Sequence, residues 1–330
     1  MKERIVLVLF GSFVGLLGAL GAYYFLSPSR DGVEFESVEG FRTALKDPRA
    51  AGKYRRPDGS LPFVAVIEEN PSDDIIYTLR PNLHDNFTGV LVDTNSFGMR
   101  SPERPIAKPA GVYRIALMGD SFAFGWGVAQ KEGFAQVIED LLNQRFKGAP
   151  LVEVLNFGIP GYSTFQEVAL FKERAVSFRP DAVLFFLVDN DFDFPFFIRD
   201  SSKGNALVRS ISLGAFGGAE YKRAQKELLV GRDPISSFLK LDEMAREQGV
   251  KAFLAVNPRK NWRVIMRRLE ALRGKTQIRF IDFGESFEDI VKEKGYTDAD
   301  LNLPDDPHPT ALRHRIYGEL IAQDLAQYVP

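Results

Sequence analysis

Ala182 to Val188 is apolar at every position, the pattern of a strand covered on both faces rather than one that alternates between core and solvent. A strand of that kind implies a parallel sheet with helices above and below it. The neighbouring segments repeat the theme. Ile115 to Met118 and Val152 to Leu155 are short apolar runs, with helical spacing from Gly133 to Phe146 and again from Phe165 to Phe178. Further on, Pro234 to Gln248 reads as a helix, Ala252 to Val256 and Ile278 to Ile281 as strands, and Thr310 to Tyr328 as a closing helix. Strands and helices in alternation predict an α/β fold over residues 111–330, a parallel sheet sandwiched by helices. Phe192 to Asp233 interrupts the alternation just after the third strand, at the rim where open α/β sheets bind ligands. A lid or substrate wall is expected there, or a loop without regular structure.

The preceding part of the chain is built differently. Leu61 to about Pro109 holds short apolar runs, Phe63 to Ile67, Ile75 to Leu79 and Gly89 to Val92, separated by turn residues; this predicts a small β-rich accessory region. Residues 27–60 are polar and interrupted and read as a stalk with one short helix around Val38 to Leu45. Ile5 to Leu26 is uncharged and mainly apolar, and about 20 such residues cross the hydrocarbon layer as a helix. Lys2 and Arg4 before it orient the amino terminus to the cytoplasm, and Tyr23 and Tyr24 suit the far interface. A single-pass anchor in the cell (inner) membrane is expected, with the remainder on the periplasmic or extracellular side. A cleaved signal peptide, with Ala19-Leu20-Gly21 as the cleavage site, is the competing reading and exports the same residues.

Ligands of open parallel sheets lie beyond the carboxyl ends of the strands. There the sequence places Gly119-Asp120-Ser121, then Asn156 to Gly161, then Asp189-Asn190-Asp191, and before the last helix Asp305-Asp306-Pro307-His308. A serine hydroxyl needs a base to take its proton, and the base needs an acid to fix its tautomer. Ser121, His308 and Asp305 fit those roles. Backbone N–H groups of Ser121 and Gly161 and the side-chain amide of Asn190 are candidate donors to an oxyanion. The chain has three histidines; His84 falls in the accessory region and His314 within the last helix, where ordinary packing or solvation explains them.

Other chemistries are excluded or weakened. Without cysteine there is no disulfide, thiol nucleophile or thiolate metal site. A formal net charge of -2 with no clustered basic run gives no case for nucleic acid. Asp189, Asp191 and Asp193 imitate a calcium loop, but Phe194 stands where such a loop requires glycine, so no metal is expected. Gly125-Trp126-Gly127 lacks the third glycine of a dinucleotide fingerprint, and no cofactor is expected.

Taken in order, these residues resemble the SGNH hydrolase superfamily, the GDSL esterases and lipases, over roughly residues 111–330. Gly119-Asp120-Ser121-Phe122 matches its first block, Asn156 to Gly161 its second, and Asp305, His308 and Pro309 its fifth. The third block, usually Gly-x-Asn-Asp, is matched only by Asn190 and Asp191, with Val188 where glycine is common. The resemblance implies a doubly wound, flavodoxin-like sheet of about five parallel strands, with Gly161 rather than Gly158 as the oxyanion glycine. It implies an esterase that forms an acyl-enzyme on Ser121. Combined with export, this suggests a small ester or acylated carbohydrate as substrate, such as O-acetyl groups of an envelope polysaccharide. O-acyltransfer to a polysaccharide and a non-catalytic carbohydrate-binding scaffold are the alternatives.

Overall fold

The computed structural model describes residues 55, 58–192, 197–200, 206–209, 230–259 and 261–330. The expected membrane anchor, the stalk helix and most of the 192–233 insertion lie outside these residues. Among the described residues no helix is long and apolar enough to cross a membrane.

In chain order the accessory region comprises α1 (Phe63–Val66), β1 (Ile67–Glu69), β2 (Tyr77–Leu79), β3 (His84–Phe87) and β4 (Val90–Asp93). The remainder follows as β5 (Val112–Gly119), α2 (Ser121–Phe124), α3 (Phe134–Phe146), β6 (Leu151–Asn156), α4 (Thr164–Glu173), β7 (Ala182–Leu187), β8 (Phe197–Asp200) and β9 (Ala206–Arg209). The chain closes with α5 (Pro234–Gln248), β10 (Lys251–Val256), α6 (Trp262–Leu269), β11 (Arg279–Ile281), α7 (Gly284–Lys294), α8 (Asp298–Leu301) and α9 (Ala311–Leu325).

Five strands form one parallel sheet in the order β11-β10-β7-β5-β6. From β5 the chain moves outward to β6, then returns to the opposite side of β5 for β7 and continues to β10 and β11. The winding therefore reverses between β5 and β7, and that is where a crevice opens at the carboxyl ends of an open sheet. Alternation along each strand separates two cores. Ala116 and Met118 of β5 and Val183, Phe185 and Leu187 of β7 pack with Phe171, Phe238 and Leu269 of α4, α5 and α6. Ile115, Leu117, Leu184 and Phe186 pack on the other face with Ile138 of α3, Phe287 of α7 and Ile321 of α9. Each such large side chain contributes about 1.5–3 kcal/mol when fully buried.

Two elements differ from the sequence expectation for identifiable reasons. β5 begins at Val112, three residues before the apolar run, and carries Arg114 fully buried. Arg114 is tolerated because Nε donates to Glu153 at 2.7 Å and the remaining nitrogens donate to the carbonyls of Pro105, Ile106 and Phe178. Breaking one partner of such a buried pair typically costs about 3–5 kcal/mol. Phe63 to Ile67, expected within a β-rich region, begins instead with the one-turn helix α1 after Pro62, and β1 starts only at Ile67.

The accessory residues are joined to the sheet by a common core: Leu61, Ile67, Tyr77 and Phe87 belong to the same apolar cluster as Met118 and Phe185. β1–β2 and β3–β4 are antiparallel pairs. The Tyr77 hydroxyl donates to the Pro160 carbonyl at 2.8 Å, and the Tyr162 hydroxyl donates to the Tyr77 carbonyl. The loop that carries Gly161 is thus held from both sides. β8 and β9 form an antiparallel hairpin within the insertion.

Candidate active site

β5 ends at Gly119 and the chain turns at once into α2, with Asp120 as its cap and Ser121 as its first residue. The Asp120 carboxylate accepts from the Phe122 N–H at 2.9 Å, which locks the turn that presents Ser121. Gly158 presses against this turn: a Cβ there would lie 2.4 Å from the Phe124 nitrogen, so no larger residue fits. Arg100 clamps the far end of α2. It is buried, and it donates to the carbonyls of Phe124 at 3.0 Å, Gly125 at 2.5 Å and Val128 at 2.6 Å. Burial lowers its pKa to about 10, which leaves it charged at neutral pH.

Opposite Ser121 stands a loop tied at its base. Leu303 N–H donates to the His308 carbonyl at 2.9 Å, Thr310 N–H to the Leu301 carbonyl at 3.0 Å, and Asn302 bridges Pro309. From this loop His308 Nε2 lies 2.8 Å from Ser121 Oγ. Its Nδ1 lies 2.5 Å from Asp306 Oδ1, which also accepts from the His308 backbone N–H at 2.9 Å. The acid on the imidazole is therefore Asp306, and the expectation of Asp305 is corrected. Asp305 is exposed and held at φ 54°, in the left-handed region, whereas Asp306-Pro307-His308 forms a turn in which the carboxylate reaches two residues on. Burial raises the Asp306 pKa, but hydrogen bonds from the His308 backbone, the imidazole and the Trp126 indole, with the imidazole charge, outweigh it and hold the carboxyl below its usual range. Trp126 also stacks on the imidazole, 4.9 Å between centroids at 18°.

Ser121, Gly161, Asn190 and His308 line one cavity of about 340 Å³. Gly161 has φ 79°, a conformation that favours glycine. Asn190 follows β7 and donates from Nδ2 to Asp120 Oδ2 at 3.1 Å. Val188, at the position where glycine is common in the family, is buried with an ordinary backbone conformation, and its N–H donates to Asp191 Oδ2 at 2.7 Å. Phe63, Phe122, Trp126 and Pro307 supply apolar wall, and Asp189 and Arg259 stand in the same lining. A larger groove of about 540 Å³ lies between α4 and α5, but no histidine lines it. The other two histidines face elsewhere. His84 is exposed against Asp93, and His314 is buried, with a pKa lowered to about 3 by desolvation and the nearby Arg100, Arg313 and His308 charges.

Phe63, Arg259, Arg100 and Asp306 are site residues that the sequence reading does not single out, whereas Phe122 and Trp126, aromatics beside the nucleophile in sequence, do line the cavity. The Asp-Pro step before His308 is the available signal for Asp306; Arg100 and Phe63 are distant in sequence and carry none.

Behind the Asn190 turn lies a buried pair of acids. Asp191 accepts from Val188 N–H and, at 3.4 Å, from the Thr164 hydroxyl. Both Glu167 carboxyl oxygens are buried without a hydrogen-bond donor among the described residues. Burial first, then the Asp191 and Asp120 charges, push the Glu167 pKa well above the carboxylate range, which favours its protonated form. A carboxyl raised in the fold contributes stability that is complete below its unfolded pKa, about 4.3, and is lost as pH rises through the folded value. Glu167→Gln, which mimics the protonated form, is expected to make the fall of Tm above about pH 4.3 shallower. Thermal melts across pH test this; identical slopes for both proteins would contradict it.

The profile of the GDSL-like Lipase/Acylhydrolase family matches residues 117–316, more than half of the chain. No curated protein matches it. Among solved structures the chain is similar to TesA, at 15% identity over 66% of this chain and 99% of that one, with a TM-score of 0.43. It is also similar to the acetyl xylan esterase AlAXEase, at 15% identity over 64% and 99% of the two chains and a TM-score of 0.43. The acetylxylan esterase Axe2 from Geobacillus stearothermophilus, as a catalytic mutant, gives 15% identity over 64% and 94% and a TM-score of 0.44. With a family match of that extent, the chain belongs to the GDSL-like lipase/acylhydrolase family and is a hydrolase acting on esters.

Proposed function

We propose that the protein is a serine esterase that works through an acyl-enzyme on Ser121. The observation that carries this reading is the contact of Ser121 Oγ with His308 Nε2 at 2.8 Å, while Nδ1 of the same ring is held by Asp306. Ser121 attacks the ester carbonyl as its proton passes to Nε2, and the imidazolium then gives that proton to the departing alkoxide. A water repeats the sequence on the acyl-enzyme and releases the acid. Asp306 orients the ring and stabilises its charge. The backbone N–H groups of Ser121 and Gly161 and the Asn190 amide donate to the oxyanion, as electrostatic stabilisation of the tetrahedral intermediate requires. Asp120 keeps the Asn190 amide near the nucleophile through its 3.1 Å hydrogen bond.

The finer reading is an esterase of the cell envelope acting on O-acetyl groups of a polysaccharide, anchored by Ile5 to Leu26. It is supported by the apolar run with Lys2 and Arg4 before it, together with acyl chemistry. Full-length protein in membranes, offered acetylated polysaccharide with and without an acceptor sugar, tests both parts. The expected result is acetate released to water by a protein that carbonate does not extract. Acetyl recovered on the acceptor would replace hydrolysis by transfer, and extraction by carbonate would remove the anchor.

A further inference from the structure

We propose that Arg259 is a specificity-determining residue that selects esters carrying a carboxylate near the scissile bond. This rests on the esterase reading of the cavity and adds the substrate class to it.

Arg259 follows the carboxyl end of β10 and lines the same cavity as Ser121 and His308. Its backbone is fixed, since its N–H donates to the Asn257 carbonyl and its own carbonyl accepts from Trp262 N–H, both at 2.8 Å. The guanidinium is differently placed. Among the described residues its ion-pair partner is Asp189, with Nη1 3.9 Å from Oδ1, and the side chains are 36% and 52% exposed. That separation is too long for a hydrogen bond, so the pair leaves the planar fork of donors available. Two buried arginines show the contrast: Arg100 and Arg114 donate to carbonyls and a carboxylate of the fold.

A guanidinium takes a carboxylate through two parallel hydrogen bonds, a geometry that a neutral hydroxyl group does not match. Phe63, Phe122 and Trp126 give the same cavity an apolar wall, which supplies contact for the uncharged part of such an ester. Asp189 opposes it: its charge repels an incoming anion and competes for the same fork. Removing that charge should therefore enhance what Arg259 provides.

The carboxylate can belong to the alcohol, as in an acetylated uronic acid, or to the acyl group, as in a hemisuccinate. Two matched pairs separate them: O-acetyl galacturonic acid against its methyl uronate, and a hemisuccinate against the butyrate of one alcohol. The readout is the ratio of kcat/KM for the charged over the neutral member, in wild type, R259A, R259K and D189N. In at least one pair the ratio is expected to fall about tenfold or more in R259A, mainly through KM, to be intermediate in R259K and to rise in D189N. The responding pair identifies the side that bears the charge. Equal losses on both members, or a ratio unmoved by R259A in both pairs, would overturn the proposal. Turnover of the neutral members with none of the charged ones would overturn it as well, and the esterase reading fails separately only if a simple ester such as p-nitrophenyl acetate is not hydrolysed either.

Discussion

Ser121→Ala is expected to lower kcat by about 10³-fold or more while leaving the fold intact. The hydroxyl is the atom in contact with His308 Nε2, and alanine removes it without disturbing what holds the turn. Asp120 still caps α2 through the Phe122 N–H, and Arg100 still clamps the carbonyls at its end. Ser121 is buried at 8% exposure, so the loss of one oxygen leaves a void smaller than a methyl group's. Any residual rate reflects the oxyanion donors acting on water. Steady-state kinetics beside a thermal melt measure both parts. Undiminished turnover in the folded variant would remove Ser121 from the reaction.

The second large effect separates two adjacent acids. Asp306→Ala is expected to lower kcat by about 10³ to 10⁴-fold, because an imidazole without its acid loses its tautomer and the stabilisation of its charge. Asp305→Gly is expected to stay within about threefold of wild type. Glycine adopts the φ of 54° at that position without strain, and the acid on Nδ1 remains in place. Because Asp306 acts through His308, its loss should also alter the acid limb of the pH profile, a change that simple loosening of the loop would not produce. The reverse ranking of the two variants would return the role to Asp305.

Much of this architecture is legible in the amino-acid sequence. The strands of the parallel sheet follow from apolar runs such as Ala182 to Val188, and the site follows from the polar residues placed after them. What the sequence hides is set by tertiary contacts. Arg114 reads as a strand boundary because a buried cation is tolerated only when its partners, here Glu153 and three carbonyls, arrive from distant segments. α7 gives no clean apolar face in sequence; of its residues only Gly284 and Phe287 are buried. Asp305 and Asp306 are the same residue type, and the Asp-Pro step that marks Asp306 gains its meaning only from the turn that places its carboxylate on His308. Arg100 and Tyr77 reach the site from the accessory region, whose own sequence carries no catalytic pattern.

Covalent capture decides whether Ser121 carries the acyl group. Wild type treated with a fluorophosphonate, then digested and mapped by mass spectrometry, should carry one adduct, on Ser121, and Ser121→Ala should carry none. A stoichiometric adduct on any other residue, or full ester turnover by wild type whose Ser121 stays unlabelled, would contradict the acyl-enzyme.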